Sequence, residues 1–475
     1  MGGRAYVAID LGAGSGRVIL GRLAEGDLEL EIVHRFAPPM GRADGHDRWL
    51  LGAMLAEIER GLAGVAQSLR ARPASLASIG VDSWAVDHAL LDSAGELLAD
   101  PVRYRDARTE GMLEVLDGIV PPRELFARTG IQRQPFNTLV QLFAQVRAGE
   151  WPPAARRLLM IPDLVHRHLG GKAVTERTNA STTQAYDPRV GTWDDALLRT
   201  IGVPPEVMPE IVEPGTELGR LRSRLAERLG LPAVPIVCPA THDTASAVAA
   251  IPLEADWAYV SSGTWSLVGA ELAAPLLTEE ARAAGFTNEA GVGGTTRFLV
   301  NCMGLWILES CRAVWERQGE LLPWDDLLAC LADAPAPPAL LDPDDPRFLN
   351  PPDMIAAIEA HLAERGAVTP RGQIAWSRLI LDSLAGRYAR ILALLAAATG
   401  RPRRGVHVVG GGSRNAFLNQ ATADATGLPV RAGPVEATAI GNVLVQAIHD
   451  GAFPDLAAAR RFVARRFPPE ELHPR

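Results

Sequence analysis

The stretch AIDLGAGSGRVIL, residues 8–20, ends an apolar run in Asp10 and follows it with Gly12, Gly14 and Gly16, with Ser15 and Arg17 among them. Glycines in a strand-to-strand turn permit positive φ and let backbone N–H groups converge on one point. Such a concavity takes anions, phosphate above all. A carboxylate beside that anion repels it unless a cation lies between, so Asp10 points to Mg²⁺, and Arg17 adds a positive group. A glycine-rich hairpin with a surface aspartate is the other reading of these residues. A second turn of the kind, SSGTWS at residues 261–266, again sets hydroxyls and a glycine between strand-like runs. Two such hairpins suit a nucleotide clamped between two domains; two unrelated turns are the alternative.

VVGGGSRN, residues 408–415, is a third glycine cluster, after a strand and before a helix. It fits neither G-x-G-x-x-G nor the Walker pattern. Three adjacent glycines let a flat adenine or ribose pack on backbone, or simply make a strand-to-helix turn. PATHDTASAV holds His242, Asp243 and Thr244. It reads as a helix start with Asp or Thr as cap, or as a catalytic base for phosphoryl transfer, which needs a group to orient and deprotonate the attacking hydroxyl. GVDSWAVDHALLD supplies Asp82, Trp84 and Asp87, and YRDART supplies Arg105, Asp106 and Arg108. Polar groups with an aromatic wall are what a sugar site requires; strand ends and surface ion pairs use the same residues.

These residues need strands to hold them. AYVAID, GRVILGRL and LELEIVHRF read as strands, and residues 48–69 as a helix with apolar positions every three or four. LASIGVDSWAVDHALLD is strand-like, with a turn at SAGE, and helical segments follow to about residue 169. Hairpin strands and then alternating helices and strands predict a mixed sheet with covering helices. The pattern restarts at residues 258–272, and residues 406–430 read strand, glycine turn, helix, strand. This is a weak internal duplication, with a boundary expected near residue 245. Residues 332–354 are proline-rich and predict an irregular surface excursion.

The chain has 475 residues, is 47% hydrophobic and carries a formal charge of −9. That length exceeds one core, and the charge argues against nucleic acid or anionic membrane as a partner. Lys172 is the one lysine, so phosphate contacts elsewhere must come from arginine, backbone N–H groups or a metal. Four cysteines, Cys238, Cys302, Cys311 and Cys330, form no CxxC pair, which fits a reducing cytoplasm. Asp10 and Gly12 interrupt the early apolar run, so no secretory signal is expected there. Residues 379–398 are apolar but interrupted by Asp382, Arg387 and Arg390, and read as an amphipathic or buried helix rather than a membrane span.

In order along the chain, DLGAGSGRVIL, SIGVDSWAVDHALLD, YRDART, IQRQPFNTLVQL, TNASTTQ, THDTASAV, YVSSGTWSLVG, NCMGLWIL, FLNPPDM, VVGGGSRN and AGPVEATAIGN resemble the FGGY family of sugar kinases. The resemblance covers essentially the whole chain. It implies an α/β fold of two actin-like (ribonuclease-H-type) domains with an interdomain ATP/sugar cleft. Residues 1–245 would be the N-terminal domain, with the sugar site and the first phosphate hairpin; residues 246–475 would be the C-terminal, ATP-binding domain. SGTWSL, MGLW and GPVEAT resemble the branch that phosphorylates L-rhamnulose at O1 in L-rhamnose breakdown. Another ketose, L-fuculose or L-xylulose, is the alternative within the family. An actin-like ATPase without a sugar substrate is the alternative outside it, which the short helical tail after Gly441 disfavours; a ROK- or hexokinase-like sugar sensor is a third, which would want an added DNA-binding segment where no basic helix-turn-helix reads.

By the same resemblance, Asp243 would take the proton from the ketose hydroxyl. His242, Thr244 and Asn301, with the backbone near Ala85, would contact the sugar. Ala13, Gly14, Ser15, Gly16 and Arg17 would cradle ATP phosphates, Thr264 would serve the second hairpin, Gly411 would lie against the adenosine, and Asp10 would position Mg²⁺. Ala85 stands where the family has glycine, and its methyl narrows the sugar pocket. Glu309 stands where a glutamine helps hold ATP; a carboxylate there needs ribose hydroxyls as partners. NQATADATG lacks the cysteines some members carry after the glycine cluster, so no disulfide forms there. The expected protein is cytoplasmic, a monomer or homodimer, with a ketose and ATP as its partners.

Overall fold

The computed structural model describes residues 3–24 and 26–475. Contacts divide the chain into two compact units, each assembled from separate segments. The first takes the chain up to Pro252, with Leu272–Phe298 and Ala437–Arg466; the second takes Leu253–Glu271, Leu299–Glu436 and Phe467–Arg475.

In the first unit, among the described residues, strands β1 (Arg4–Leu11), β2 (Gly16–Ala24), β3 (Asp27–Phe36), β4 (Ser75–Ser83), β5 (Glu217–Arg220) and β6 (Pro235–Val237) lie in the order β5–β6–β4–β1–β2–β3. β1 is buried at every position after Arg4, as a strand covered on both faces must be. It pairs antiparallel with β2 and parallel with β4, and the register sets Asp10 opposite Arg17 on one side and Asp82 on the other. Ser83, at the end of β4, makes a parallel bridge to His242. The carboxyl ends of β1 and β4 therefore meet the loop that follows β6, the place where open α/β sheets hold ligands.

Helix α1 (Leu51–Ala71) buries Leu51, Met54, Ile58, Leu62 and Val65, three or four residues apart, and packs on β2 and β3. It starts later than the 48–69 reading because Arg48 and Trp49 belong to the strand His46–Trp49, with Trp49 N–H donating to Pro101 C=O at 2.9 Å. The strand reading of residues 76–92 is likewise split. β4 stops at Ser83 and a new strand begins at His88. Between them Asp87 N–H donates to Ala85 C=O at 2.9 Å and Val86 sits at φ 69°.

The second unit repeats the plan. Among the described residues, strands β7 (Trp257–Ser262), β8 (Trp265–Leu272), β9 (Thr296–Met303), β10 (Gly405–Val409), β11 (Val430–Ala432) and β12 (Glu470–Leu472) lie in the order β9–β8–β7–β10–β11–β12 within a seven-stranded sheet. β7 pairs antiparallel with β8 and parallel with β10. Strand order β3–β2–β1–β4–β6 in one unit thus matches β9–β8–β7–β10–β11 in the other. The duplication expected from the two similar openings is present as repeated topology. Helix α2 (Asp243–Ala249) belongs to the first unit; α3 (Trp306–Gln318), α4 (Gly372–Thr399) and α5 (Ala416–Thr426) flank the second sheet. α4 contains the apolar run 379–398, and no helix among the described residues is long and apolar enough to cross a membrane. Residues 332–354 are irregular as expected, but they are anchored: Phe348 is fully buried and its carbonyl accepts Trp306 Nε1–H at 3.2 Å.

Helix α6 (Ala437–His449) returns to the first unit and packs on β1, β4 and α2. Gln446 donates to Val7 C=O at 3.0 Å and accepts from Ser78 Oγ at 2.7 Å, tying the helix to both strands. A methyl at Gly441 would stand 1.7 Å from Ser246 C=O, so α6 approaches α2 as closely as only glycine permits.

Candidate active site

The first turn is held by reciprocal backbone bonds, Gly12 N–H to Ser15 C=O at 3.1 Å and Ser15 N–H to Gly12 C=O at 3.2 Å. Gly14 is exposed, Ala13, Ser15 and Arg17 are half-buried, and Gly16 is buried. None of Gly12, Gly14 and Gly16 has positive φ, so the expected left-handed turn is not what these glycines provide. Gly16 is required for space instead: a Cβ there would meet the Phe36 ring at 2.5 Å. Asp10 is nearly buried and pairs with the Arg17 guanidinium.

Asp82 lies beside Asp10 and has no exposed surface. Asn442 on α6 donates to its Oδ2 at 2.5 Å, while Oδ1 is buried with no partner. Burial, then the charges of Asp10 and Asp243, push its pKa up. An unpartnered buried carboxylate oxygen next to a second carboxylate is a hard-donor set that fits Mg²⁺. Among the described residues no three or more His, Cys, Asp or Glu are grouped to hold a metal alone. Mg²⁺ ordinarily takes one or two carboxylates and completes its shell with substrate phosphates, so the residues present fit the cation in that role.

Asp243 opens α2, with its side chain 30% exposed. Oδ1 accepts from Thr244 N–H at 2.5 Å and Thr244 Oγ1–H at 3.1 Å, and His242 Nε2 lies 3.4 Å away. Oδ2 receives no hydrogen bond among the described residues. One oxygen is tethered and the other is open to a substrate hydroxyl. The loop before it is braced by Glu176, a fully buried carboxylate. Its oxygens accept from Thr178 N–H, Thr178 Oγ1, Thr241 N–H and Thr241 Oγ1 at 2.5–2.9 Å. Thr178 Oγ1 in turn accepts His242 N–H at 3.2 Å. Burial raises the Glu176 pKa against the pull of those four donors.

The residues read as a sugar wall divide by role. Asp87 is buried; its Oδ2 accepts Trp49 Nε1–H at 2.7 Å and Trp84 Nε1–H at 2.9 Å, and Oδ1 accepts Gln141 Nε2–H at 3.3 Å. It holds the two indoles, whose rings lie 4.6 Å apart. Asp106 accepts Asp47 N–H and Arg108 N–H, and Arg108 donates to Gln141 at 2.5 Å. These groups brace the loops. Ala85 is half-buried, and the positive φ falls on Val86 rather than on it. Alanine in place of glycine at 85 therefore meets no backbone penalty. A β-branched residue at positive φ is strained, and Thr138 Oγ1–H holds it by donating to Val86 C=O at 2.8 Å.

In the second unit, Thr264 is half-buried in the β7–β8 turn, and its carbonyl accepts Gly304 N–H and Trp306 N–H, both at 3.2 Å. Gly411 is exposed after β10. Its neighbours explain the cluster: Gly410 sits at φ 82°, and a Cβ on Gly412 would stand 2.0 Å from Ser262 Oγ. The two glycine-bearing turns, after β7 and after β10, thus pack against each other. Asn301 is half-buried on β9. Glu309 lies on the exposed face of α3, crowded enough for burial to raise its pKa.

Residues 5–250 match the N-terminal domain of the FGGY family of carbohydrate kinases, and residues 258–449 match its C-terminal domain. This chain belongs to the FGGY family. A rhamnulokinase of Bacteroides thetaiotaomicron is 43% identical over 99% of this chain and 96% of its own length. One from Bacillus subtilis is 39% identical over 99% and 95%. A ligand-bound xylulose kinase from Lactobacillus acidophilus superposes with a TM-score of 0.80 at 16% identity, covering 99% of this chain and 94% of that one. Plasmodium falciparum glycerol kinase with ADP gives 0.78 at 15%, again over 99% and 94%. The two-domain FGGY kinase fold is thereby established, and the chain is a carbohydrate kinase of that family. Arg297, Glu289 and Glu176, which surround the Asp243 loop, escaped the sequence reading. No local motif marks them, and only the strand pairing brings them there.

Proposed function

We propose that the protein transfers the γ-phosphoryl group of ATP to O1 of L-rhamnulose. The full-length relatives named rhamnulokinase support the choice of sugar. The observation that carries the chemistry is the asymmetry of Asp243, with Oδ1 tethered by Thr244 and Oδ2 open. Oδ2 accepts the O1 proton as the oxygen attacks the γ-phosphorus and the bond to the β,γ-bridging oxygen breaks, leaving ADP. His242, Thr244, Asn301 and the backbone at Ala85 orient the ketose. Residues 13–17, Thr264, Glu309 and Gly411 serve the nucleotide, with Glu309 taking ribose hydroxyls rather than phosphates as its partners. Asp10, with Asp82 beside it, would hold Mg²⁺, which when bound neutralises phosphate charge. On this reading residues 1–245 carry the sugar and the first phosphate hairpin, and residues 246–475 carry the rest of the nucleotide site. The reaction belongs to the cytoplasm.

The test is ADP release with MgATP and a panel of L-rhamnulose, L-fuculose, L-xylulose, L-ribulose and D-xylulose. L-rhamnulose should lead in kcat/KM by tenfold or more, a gap of about 1.4 kcal/mol in transition-state binding. A lead by another ketose would overturn the sugar and leave Asp243 standing. Asp243→Asn should keep ketose and nucleotide binding while kcat falls by about 10²–10⁴-fold, the usual worth of a general base. Near-normal kcat in that variant would sink the base assignment.

A further inference from the structure

Arg297 has no exposed surface, yet it faces the side chain next to Asp243. Its Nε donates to Ala290 C=O at 3.0 Å, and its Nη2 lies 2.9 Å from His242 Nδ1. Glu289, itself buried, reaches the same Nη2 at 3.0 Å and His242 Nδ1 at 3.3 Å. The other ring nitrogen, Nε2, is 3.4 Å from Asp243 Oδ1.

A guanidinium has five N–H donors and no acceptor. A ring nitrogen in hydrogen-bond contact with it must accept, so Nδ1 carries no proton. The neutral imidazole then holds its proton on Nε2, on the Asp243 side. Glu289 works against this state when considered alone. A carboxylate beside Nδ1 draws the proton to that nitrogen, which is how carboxylates commonly orient histidines. Nε2 would then present a lone pair to the Asp243 carboxylate, and the two would repel. Arg297 is closer to Nδ1 than Glu289 is, and it occupies Glu289 as its own counter-charge. A buried arginine–glutamate pair is a weak stabilising device compared with apolar packing. Its value here is directional.

We propose that Arg297 is a positioning residue that fixes His242 as the Nε2–H tautomer, so that the ring donates toward Asp243 Oδ1 and any hydroxyl bound beside it. With Nε2–H 3.4 Å from Oδ1, on the side already tethered by Thr244, the ring presents no lone pair to the carboxylate and Asp243 stays oriented with Oδ2 toward the substrate. Glu289 neutralises the guanidinium and holds it in place. The proposal rests on Asp243 as the base, but its first test does not.

That test is the two-bond nitrogen–proton correlation spectrum of the full-length protein labelled with ¹⁵N-histidine. The chain has 10 histidines, and the His242 signals are those missing from His242→Asn. The expected result is an unprotonated Nδ1 and a protonated Nε2. In Arg297→Met the proton should move to Nδ1, and kcat should fall by about a hundredfold, the usual penalty for a misplaced catalytic group. The KM for MgATP should not change. Arg297→Lys, also a pure donor, should restore the tautomer and most of the turnover. A protonated Nδ1 in the unaltered protein overturns the proposal, as does an unchanged tautomer in Arg297→Met. Should Arg297→Met not fold, the unaltered protein and Arg297→Lys decide by the same spectrum. If Asp243→Asn retains turnover, the base reading fails and the tautomer result stands by itself.

Discussion

Glu176 is the clearest case of a residue whose type was visible and whose role was not. TNASTTQ carries the family resemblance, while the glutamate two residues upstream of it belongs to no motif. Four donors converge on its two oxygens, and an amide in its place must turn an NH₂ toward one of them. Glu176→Gln should therefore cost about 1–3 kcal/mol of stability, the price of a buried unmatched donor, and kcat should drop as the 241–244 loop loosens. Urea unfolding and steady-state kinetics read the two effects separately. Asp87, whose sequence context suits a sugar wall or a structural role equally, accepts from two indoles and an amide. Burial raises its pKa from 3.8 to about 6. A carboxyl raised on folding favours the folded state only while protonated. Its contribution is full below pH 4, declines as pH rises through 6, and is flat above. The stability difference between the unaltered protein and Asp87→Asn should therefore shrink by about 1.4 kcal/mol per pH unit between pH 4 and 6. Urea titrations at several pH values check it, and a rising or level difference contradicts the assignment.

At the scale of elements, periodicity placed strands and helices well where one face is apolar and the run is long. It failed where tertiary contacts cut a run short. The 76–92 strand breaks at Val86 because Thr138 and Gln141 hold the Val86–Asp87 backbone and side chain from another part of the chain. The glycine turns were legible as turns, but the reason for each glycine lay in a neighbour that sequence cannot display. Gly441 is the sharpest example, since its hydrogen faces the backbone of α2. Gly441→Ala should force α6 and α2 apart and destabilise the protein by about 3 kcal/mol or more, the upper range for overpacking. Because α2 starts at Asp243, kcat should fall at temperatures where the variant remains folded. The alanine variant's urea midpoint and its kcat at low temperature test this pair of effects.

At the scale of the whole molecule, two similar openings in one chain announced a repeat, and the repeated strand order confirms it. The resemblance to FGGY kinases, read from ordered motifs, matches the family profiles over both halves. What the linear order hides is that Leu272–Phe298 and Ala437–Arg466 belong with the first unit. A chain ending at residue 436 keeps every strand of the first sheet but loses α6, with Gln446 and Asn442, whose partners are Val7, Ser78 and Asp82. That truncation should be insoluble or lack cooperative unfolding by circular dichroism; a soluble, cooperatively folding fragment would show that α6 is dispensable. The sequence by itself determined the family, the strand-and-turn plan and the residue types at the site, because these are written in local spacing and motif order. Only the tertiary structure decided which oxygen of Asp243 is open, why Asp82 is buried beside Asp10, and that Arg297 faces His242. The first depends on how Thr244 folds back on its neighbour, and the others on strand register and on partners from 55 residues apart, Arg297 to His242, to 360 apart, Asn442 to Asp82, and no local pattern of amino acids encodes such contacts.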